Sequence, residues 1–431
     1  MILETKGYSY NDLTIVPNVI SEVNSRSECN PFIKDNFLPI FTAPMASVVN
    51  ENNLDSFINN GIIPIIPRNI DINIRIKLMN EQNWVALSLK EFEDLFINNY
   101  KDRIEDFRTH YYICVDIANG HMKSLYEKCL IAKTYAIDNN YKLTIMTGNI
   151  ANPETYEWII KFNDDNNIKV IDYIRIGIGG GCGCITTSNV SAHYPQASLI
   201  DECYKIKKHW KNYKNYTLEN IVPYIIADGG IRNYDHVIKA LALGADYVMI
   251  GSLFAQCIES AGEKLKYNRS LNSKTLHVPL DRYVNIELGS DGQWYGYYSY
   301  DFVNKALNLW INDVHKYEHD TESKEFKNAV KRYWDKYREM YDKKLIGDIN
   351  VKFFGMASAD GQKSISGEKT KTAEGITKYL PVKYTLKGWV NNMISYLRSA
   401  MSYTDCKTLN EFIGKPKLIP NSISEIQVVN K

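Results

Sequence analysis

Residues 177–187, GIGGGCGCITT, set two thiols, Cys182 and Cys184, among five glycines and just ahead of two threonines. The thiolate of cysteine is a nucleophile. A loop nearly free of side chains can bring one against a flat heteroaromatic ring, and its bare carbonyls can cup a monovalent cation. The bland alternative is a small buried hydrophobe, which is what a single cysteine usually is. Two further runs carry anion-binding chemistry. In ADGGIR (227–232) and IGS (250–252), Gly229, Gly230 and Gly251 let backbone N–H groups approach a phosphate, Ser252 adds a hydroxyl, and Asp228 can accept from a ribose diol. Taken alone, the same glycines would also make ordinary tight turns.

These residues need a scaffold that brings three loops to one place. Short apolar runs rich in β-branched residues recur at 38–45, 61–67, 84–89, 111–117, 142–149, 170–178, 223–230 and 245–252. Most are followed by a polar or helical-period stretch, such as SLYEKCLIAKTYAIDNN or NYDHVIKALALG, so strand and helix alternate. Unbroken apolar runs are what strands buried on both faces look like in a parallel sheet. Eight such units predict an α/β fold of the closed (β/α)8 TIM barrel type rather than an open sheet. Barrels of this kind build their sites from the loops after each strand, with phosphate often held after strands 7 and 8. Cys184 then falls on the sixth loop, on the same face as 229–230 and 251–252.

The totals exclude several classes. The 431 residues are 45% hydrophobic and 12% aromatic, enough for a large core and outside the disordered range. Fifty-one basic residues against 50 acidic ones leave a net charge of +1, so no overall field draws in nucleic acid or an anionic membrane. No apolar stretch reaches the ~18 residues of a membrane span, and residues 1–13 lack the basic and apolar regions of a signal peptide; a cytoplasmic protein is expected. The eight cysteines are scattered through a long chain without a Cys-x-x-Cys, which reads as reduced thiols; Cys182 and Cys184 would need two further ligands to hold zinc.

With the cysteine loop, IADGGIR and GADYVMIGSLFA on the page, the chain resembles the IMP dehydrogenase/GMP reductase family. The likeness runs from residue 8 to 261 and resumes from FFGMAS (353–358) to 412. Both branches of that family attack C2 of a purine nucleotide with the loop cysteine. The dehydrogenase branch passes hydride to NAD and hydrolyses the thioimidate with water activated by an Arg-Tyr pair on a flap. Here no arginine occurs between Arg338 and Arg398. The short link from Pro67 to Trp84 also leaves no room for the tandem regulatory CBS module that most dehydrogenases insert there. VNSRSEC (23–29) and VDIANGH (115–121) are similar to cofactor segments of the reductase branch.

That resemblance implies NADPH-dependent reductive deamination of GMP to IMP and ammonia. It implies Cys184 as nucleophile, with Thr186 and Glu374 moving protons. Asp228, Gly229, Gly230, Gly251 and Ser252 would hold ribose and phosphate, and Gly355, Met356, Ala357 and Gly375 the base. Ser25, Arg26, Asp116, Ile117, Ala118, Ile178 and Gly179 would meet the cofactor, and the carbonyls of Gly179, Gly181 and Cys184 a potassium ion. A homotetramer is implied as well. Two departures stand out: Cys182 and Gly183 precede the nucleophile where a small polar residue is usual, and Phe353 stands where many relatives carry a phosphate-binding tyrosine. An IMP dehydrogenase with a different water activator, and a nucleotide-binding protein without turnover, are the competing readings.

Residues 264–352 fall outside the likeness and are expected to form an inserted α+β subdomain, leaving 1–263 and 353–431 as the barrel. Its first part has strand and turn character with dense tyrosine; its second, residues 301–345, has helical periodicity. It is expected to pack over the barrel rim or against another subunit. Its closely matched acids and bases argue against nucleic-acid stacking.

Overall fold

Each of the eight apolar runs forms a parallel strand: β1 Ile40–Thr42, β2 Ile65–Ile66, β3 Trp84–Leu87, β4 His110–Val115, β5 Lys142–Ile150, β6 Tyr173–Ile176, β7 Tyr224–Asp228 and β8 Tyr247–Ile250. The structure, a computed structural model, describes residues 7–98, 110–213, 221–266, 278–280, 283–316, 320–341, 343–368 and 372–421. The strands pair in the order β1-β8-β7-β6-β5-β4-β3-β2. The ring closes at Ile63, just before β2: its N–H donates to Ile40 O and its carbonyl accepts from Thr42 N–H, both at 2.9 Å.

Parallel neighbours need a crossover, and helices provide it. They are α1 Leu54–Asn59, α2 Ile72–Asn80, α3 Leu89–Glu93, α4 Lys123–Asp138, α5 Pro153–Asp165, α6 Gln196–Tyr213 and α7 Tyr234–Ala242, each after the strand of the same number. Local sequence starts them. Asp71 caps α2 by accepting from Asn73 N–H, and Asn152 caps α5 just ahead of Pro153, whose missing N–H costs nothing at a first helical position.

Alternate strand residues point into the barrel. Phe41, Trp84, Tyr112, Tyr173 and Tyr247 make an aromatic layer, with Phe41 5.5 Å from Trp84 and 5.2 Å from Tyr247, and Trp84 edge-on to Tyr173 at 5.4 Å. Two residues further along their strands, Ala86, Cys114 and Met249 form the next layer with Met146 and Ile226. Fully burying one such large side chain contributes roughly 1.5–3 kcal/mol, so this layered plug holds the strand ends in place. The β6 residue at that level is Arg175, a charge inside the core, 7% exposed.

A second compact unit comprises Glu263–Lys352 and Tyr379–Thr385. Its strands are β9 Lys264–Lys266, β10 Val278–Pro279, β11 Tyr283–Leu288, β12 Trp294–Tyr298, β13 Lys344–Gly347, β14 Ile349–Phe354 and β15 Thr377–Pro381, in sheets of order β10-β9-β14-β15 and β11-β12-β13. Helices α8 Tyr300–His315 and α9 Lys324–Tyr341 pack through Val303, Leu307 and Met340. Two sequence expectations change. Residues 344–345, read as the end of a helix, open β13, because they pair antiparallel with Gly296 and Tyr295. Tyr379–Thr385, assigned to the barrel from sequence, belongs with the second unit: Val382 N–H donates to Ile349 O at 2.8 Å and its carbonyl accepts from Trp294 Nε1–H at 3.1 Å. Residues 267–277, 281–282, 317–319 and 342 of the expected insertion lie outside the described residues. The chain then returns to the barrel unit as α10 Leu386–Tyr403, where Trp389 stacks on Tyr234 of α7 at 5.2 Å.

Candidate active site

The loop after β6 is pinned on both sides by its own backbone. Gly230 N–H donates to Gly180 O at 3.0 Å, tying it to the turn after β7. Ile376 N–H donates to Gly183 O at 2.9 Å and Ile185 N–H to Glu374 O at 3.0 Å, tying it to residues 374–376. Cys184 N–H donates to Gly181 O at 3.1 Å, folding residues 181–184 into a turn. Two glycines are required by these approaches. Gly375 bridges Cys184 and Ser358, and a Cβ there would stand 2.8 Å from Gly183 O. Gly179 has φ +78°, and a Cβ would run into the Thr187 hydroxyl.

Within this frame the thiol of Cys184 donates to Thr186 Oγ1 at 3.2 Å, and the Thr186 hydroxyl donates to Glu374 Oε2 at 3.2 Å. Residues 2 and 190 positions beyond Cys184 thus join it in one hydrogen-bonded run, thiol to hydroxyl to carboxylate. Cys184 itself is neither core nor surface, unlike Cys114, which is fully buried.

A second constellation spans the barrel mouth. Arg175 donates from Nε (3.1 Å) and Nη2 (2.9 Å) to Asp228 Oδ2, and from Nη1 (2.8 Å) to Asp116 Oδ1. Arg68, just after β2, donates to Asp116 Oδ2 at 3.0 Å, and Asn149 Nδ2 donates to Asp228 Oδ2 at 2.7 Å. Burial works against charge on Arg175 and on Asp116. For Arg175 the carboxylate of Asp228, with Asp116, overrides it and keeps the guanidinium protonated. For Asp116 the neighbouring Arg175 and then Arg68 hold the carboxyl below its ordinary value despite burial. The three donors to the Asp228 carboxylate among the described residues all meet Oδ2, so a diol approaching Oδ1 would find lone pairs that none of them uses.

One cleft of about 300 Å³ gathers these groups. Every site residue named from the sequence lines it except Ser25 and Arg26. Those two are exposed at the start of the 3-10 turn Arg26–Glu28, which Ser25 caps by accepting from Ser27 N–H through Oγ, while Arg26 Nη1 donates to Ser399 Oγ at 3.4 Å. Arg68, Asn149, Arg175 and Arg232 also line the cleft and were not singled out from sequence. Arg175 did leave a signal: a lone charge in the apolar run YIRIGI has to be paired when both faces of a strand are buried. Among the described residues no cluster of three His, Cys, Asp or Glu side chains could hold a metal, and no helix is long and apolar enough to cross a membrane.

A parallel barrel with a thiol after strand 6 and glycine turns after strands 7 and 8, all facing one cleft, is a TIM-barrel scaffold equipped for nucleophilic chemistry at its mouth. The IMP dehydrogenase / GMP reductase domain matches residues 7–276, and the chain belongs to that family. It is similar to a protein named GMP reductase from Helicobacter pylori (strain ATCC 700392 / 26695), 31% identical over 273 residues, covering 61% of this chain and 74% of that protein. A GMP reductase of Streptococcus suis (strain 05ZYH33) is 30% identical over 278 residues, covering 62% of this chain and 75% of its own length. One of Streptococcus pyogenes serotype M4 (strain MGAS10750) is 29% identical over 273 residues, covering 61% and 74%.

Proposed function

We propose that this protein is an oxidoreductase that converts GMP to IMP and ammonia at the expense of NADPH, through a thioimidate on Cys184. The observation that carries the reading is the hydrogen-bonded run Cys184, Thr186, Glu374 at the barrel mouth. Cys184 adds through sulfur to C2 of the guanine, which splits a difficult exchange into two easier steps. An exocyclic amine leaves only once protonated, and the Thr186–Glu374 pair is placed to take the thiol proton and return it to the departing nitrogen. The sulfur then leaves C2 as thiolate after hydride has been added there, releasing IMP. Asp116, Ile117, Ala118, Ile178 and Gly179, which line the cleft, would hold NADPH, and that cofactor would supply the hydride.

The chain's remaining residues bind and orient. Asp228, fixed by Arg175 and Asn149, offers Oδ1 to the ribose hydroxyls; Gly229, Gly230, Gly251 and Ser252 hold the phosphate; Gly355, Met356, Ala357 and Gly375 meet the base. Ser25 and Arg26, being exposed, are free to meet the adenosine end of the cofactor. The carbonyls of Gly179, Gly181 and Cys184 would hold potassium; the buried Thr187 Oγ1 beside Gly179 has no hydrogen-bond partner among the described residues and is an oxygen of the kind such a cation takes. A homotetrameric, cytoplasmic enzyme completes the reading.

The absence of arginine between Arg338 and Arg398 favours the reductase over the dehydrogenase direction. The test is a matrix of GMP and IMP against NADPH, NADH and NAD. GMP with NADPH should yield IMP, ammonia and oxidised cofactor in equal amounts. Formation of XMP from IMP and NAD, with no ammonia from GMP, would overturn the proposal.

A further inference from the structure

We infer that Cys182 and Cys184 close a reversible disulfide when a hydroperoxide reaches the cleft, so that the nucleophile is stored rather than destroyed. The inference goes beyond the proposed reaction and depends on two thiols, not on which nucleotide is turned over. All eight cysteines are free, and six of them are buried. Burial pushes the thiols of Cys114 and Cys129 up to about 12 and raises those of Cys29, Cys203 and Cys406, so these are poor sources of thiolate and closed to solvent. Cys182 and Cys184 alone are partly exposed, and both line the same cleft.

Their spacing suits a bond. The 3.1 Å contact from Cys184 N–H to Gly181 O makes them the second and fourth residues of a turn. Folding on a turn brings such residues within the ~4.4–6.8 Å Cα separation that disulfides bridge. Gly183 between them has no side chain to obstruct rotation. Among the described residues the Cys182 sulfur has one polar contact, the Lys378 ammonium at 3.9 Å, which can offset charge developing on sulfur during the exchange. A ring closed across a single intervening residue is strained, and strained disulfides are the easily reduced ones.

The chemistry balances with the hydroperoxide as sole oxidant. Cys184 sulfur attacks the terminal peroxide oxygen; the O–O bond breaks, the alkoxide leaves, and a sulfenic acid forms on Cys184. Cys182 sulfur then attacks the sulfenic sulfur, the S–O bond breaks, and hydroxide leaves with the Cys182 proton as water. Two thiols are oxidised by two electrons and the hydroperoxide becomes alcohol and water. Without Cys182 the sulfenic acid is exposed to a second equivalent and passes irreversibly to sulfinic acid.

The experiment treats the full-length protein and its Cys182→Ser variant with tert-butyl hydroperoxide, digests without reduction using chymotrypsin, and weighs the peptide 174–199, released by cleavage after Tyr173 and Leu199, which holds these two cysteines and no other. The wild-type peptide should be two hydrogens lighter and regain them with dithiothreitol. The Cys182→Ser peptide should instead gain oxygen on Cys184 that dithiothreitol does not remove, and activity recovered after reduction should be about tenfold lower than in wild type. Sulfinic acid on wild-type Cys184 at the same dose as in the variant, or either cysteine joined to a different partner, would overturn the inference. The mass readout needs no turnover, so failure of the GMP reaction and failure of the disulfide are told apart.

Discussion

Replacing Arg175 by methionine removes the guanidinium that joins Asp116 to Asp228 while keeping an apolar side chain of comparable length in the barrel. The three bonds lost, at 2.8, 2.9 and 3.1 Å, come from a side chain only 7% exposed. Removing one partner of a buried, hydrogen-bonded charge group costs about 3–5 kcal/mol, because the other charges stay buried without it. Arg68 and Asn149 remain, which places the expected loss at the lower end of that range. The pH dependence is the sharper signature. In the wild type Asp116 is depressed below 3.8, so its stabilising contribution is present at neutral pH and lost only as pH falls through that lower folded value. In Arg175→Met burial prevails and the carboxyl rises, the folded form binds a proton earlier, and the deficit should be largest at pH 8 and shrink toward pH ~4. Urea unfolding of both proteins at several pH values measures this, and adding Asp116→Asn to the variant should recover part of the loss at pH 8. A deficit that does not change with pH, or none at pH 8, would refute the assignment of Arg175 as the counter-charge of the barrel mouth.

Glu374→Gln and Thr186→Val should each lower kcat by roughly 10²–10⁴ while nucleotide affinity, measured by calorimetry, changes little. Gly179→Ala should lower both thermal stability and turnover, because φ +78° and the Thr187 hydroxyl both oppose a Cβ; adding Thr187→Ala should relieve the collision but not the backbone strain, giving partial recovery in a melting assay. Arg26→Ala should raise the KM for NADPH roughly tenfold or more and leave that for NADH nearly unchanged, since a charge-assisted contact worth about 1.5–3 kcal/mol is lost only where the extra phosphate is present.

The barrel was legible because a strand buried on both faces must be apolar throughout, and eight such runs in one chain leave few alternatives. The loop glycines were legible for a related reason: Gly229 and Gly230 turn the chain at φ +98° and +75°, a conformation that favours a residue without Cβ. The Arg175 bridge was not, although the residue itself is conspicuous in YIRIGI, because its partners stand just past β4 and at the end of β7, far off in sequence and brought near only by strand pairing and sheet curvature. Lys344 and Leu345 were misread because a short strand borrows its conformation from β12, and periodicity over so few residues cannot reveal that. The same holds for Tyr379–Thr385, whose placement is decided by Trp294 and Ile349, residues far away in the chain.

The central claim is a covalent bond between Cys184 sulfur and purine C2. Intact mass and peptide mapping of enzyme quenched by acid during turnover of GMP and NADPH test it directly. The account predicts a nucleotide adduct on residues 174–199, retained in Cys182→Ser and absent in Cys184→Ala. Steady turnover with that peptide unmodified, or an adduct that survives Cys184→Ala, would contradict it.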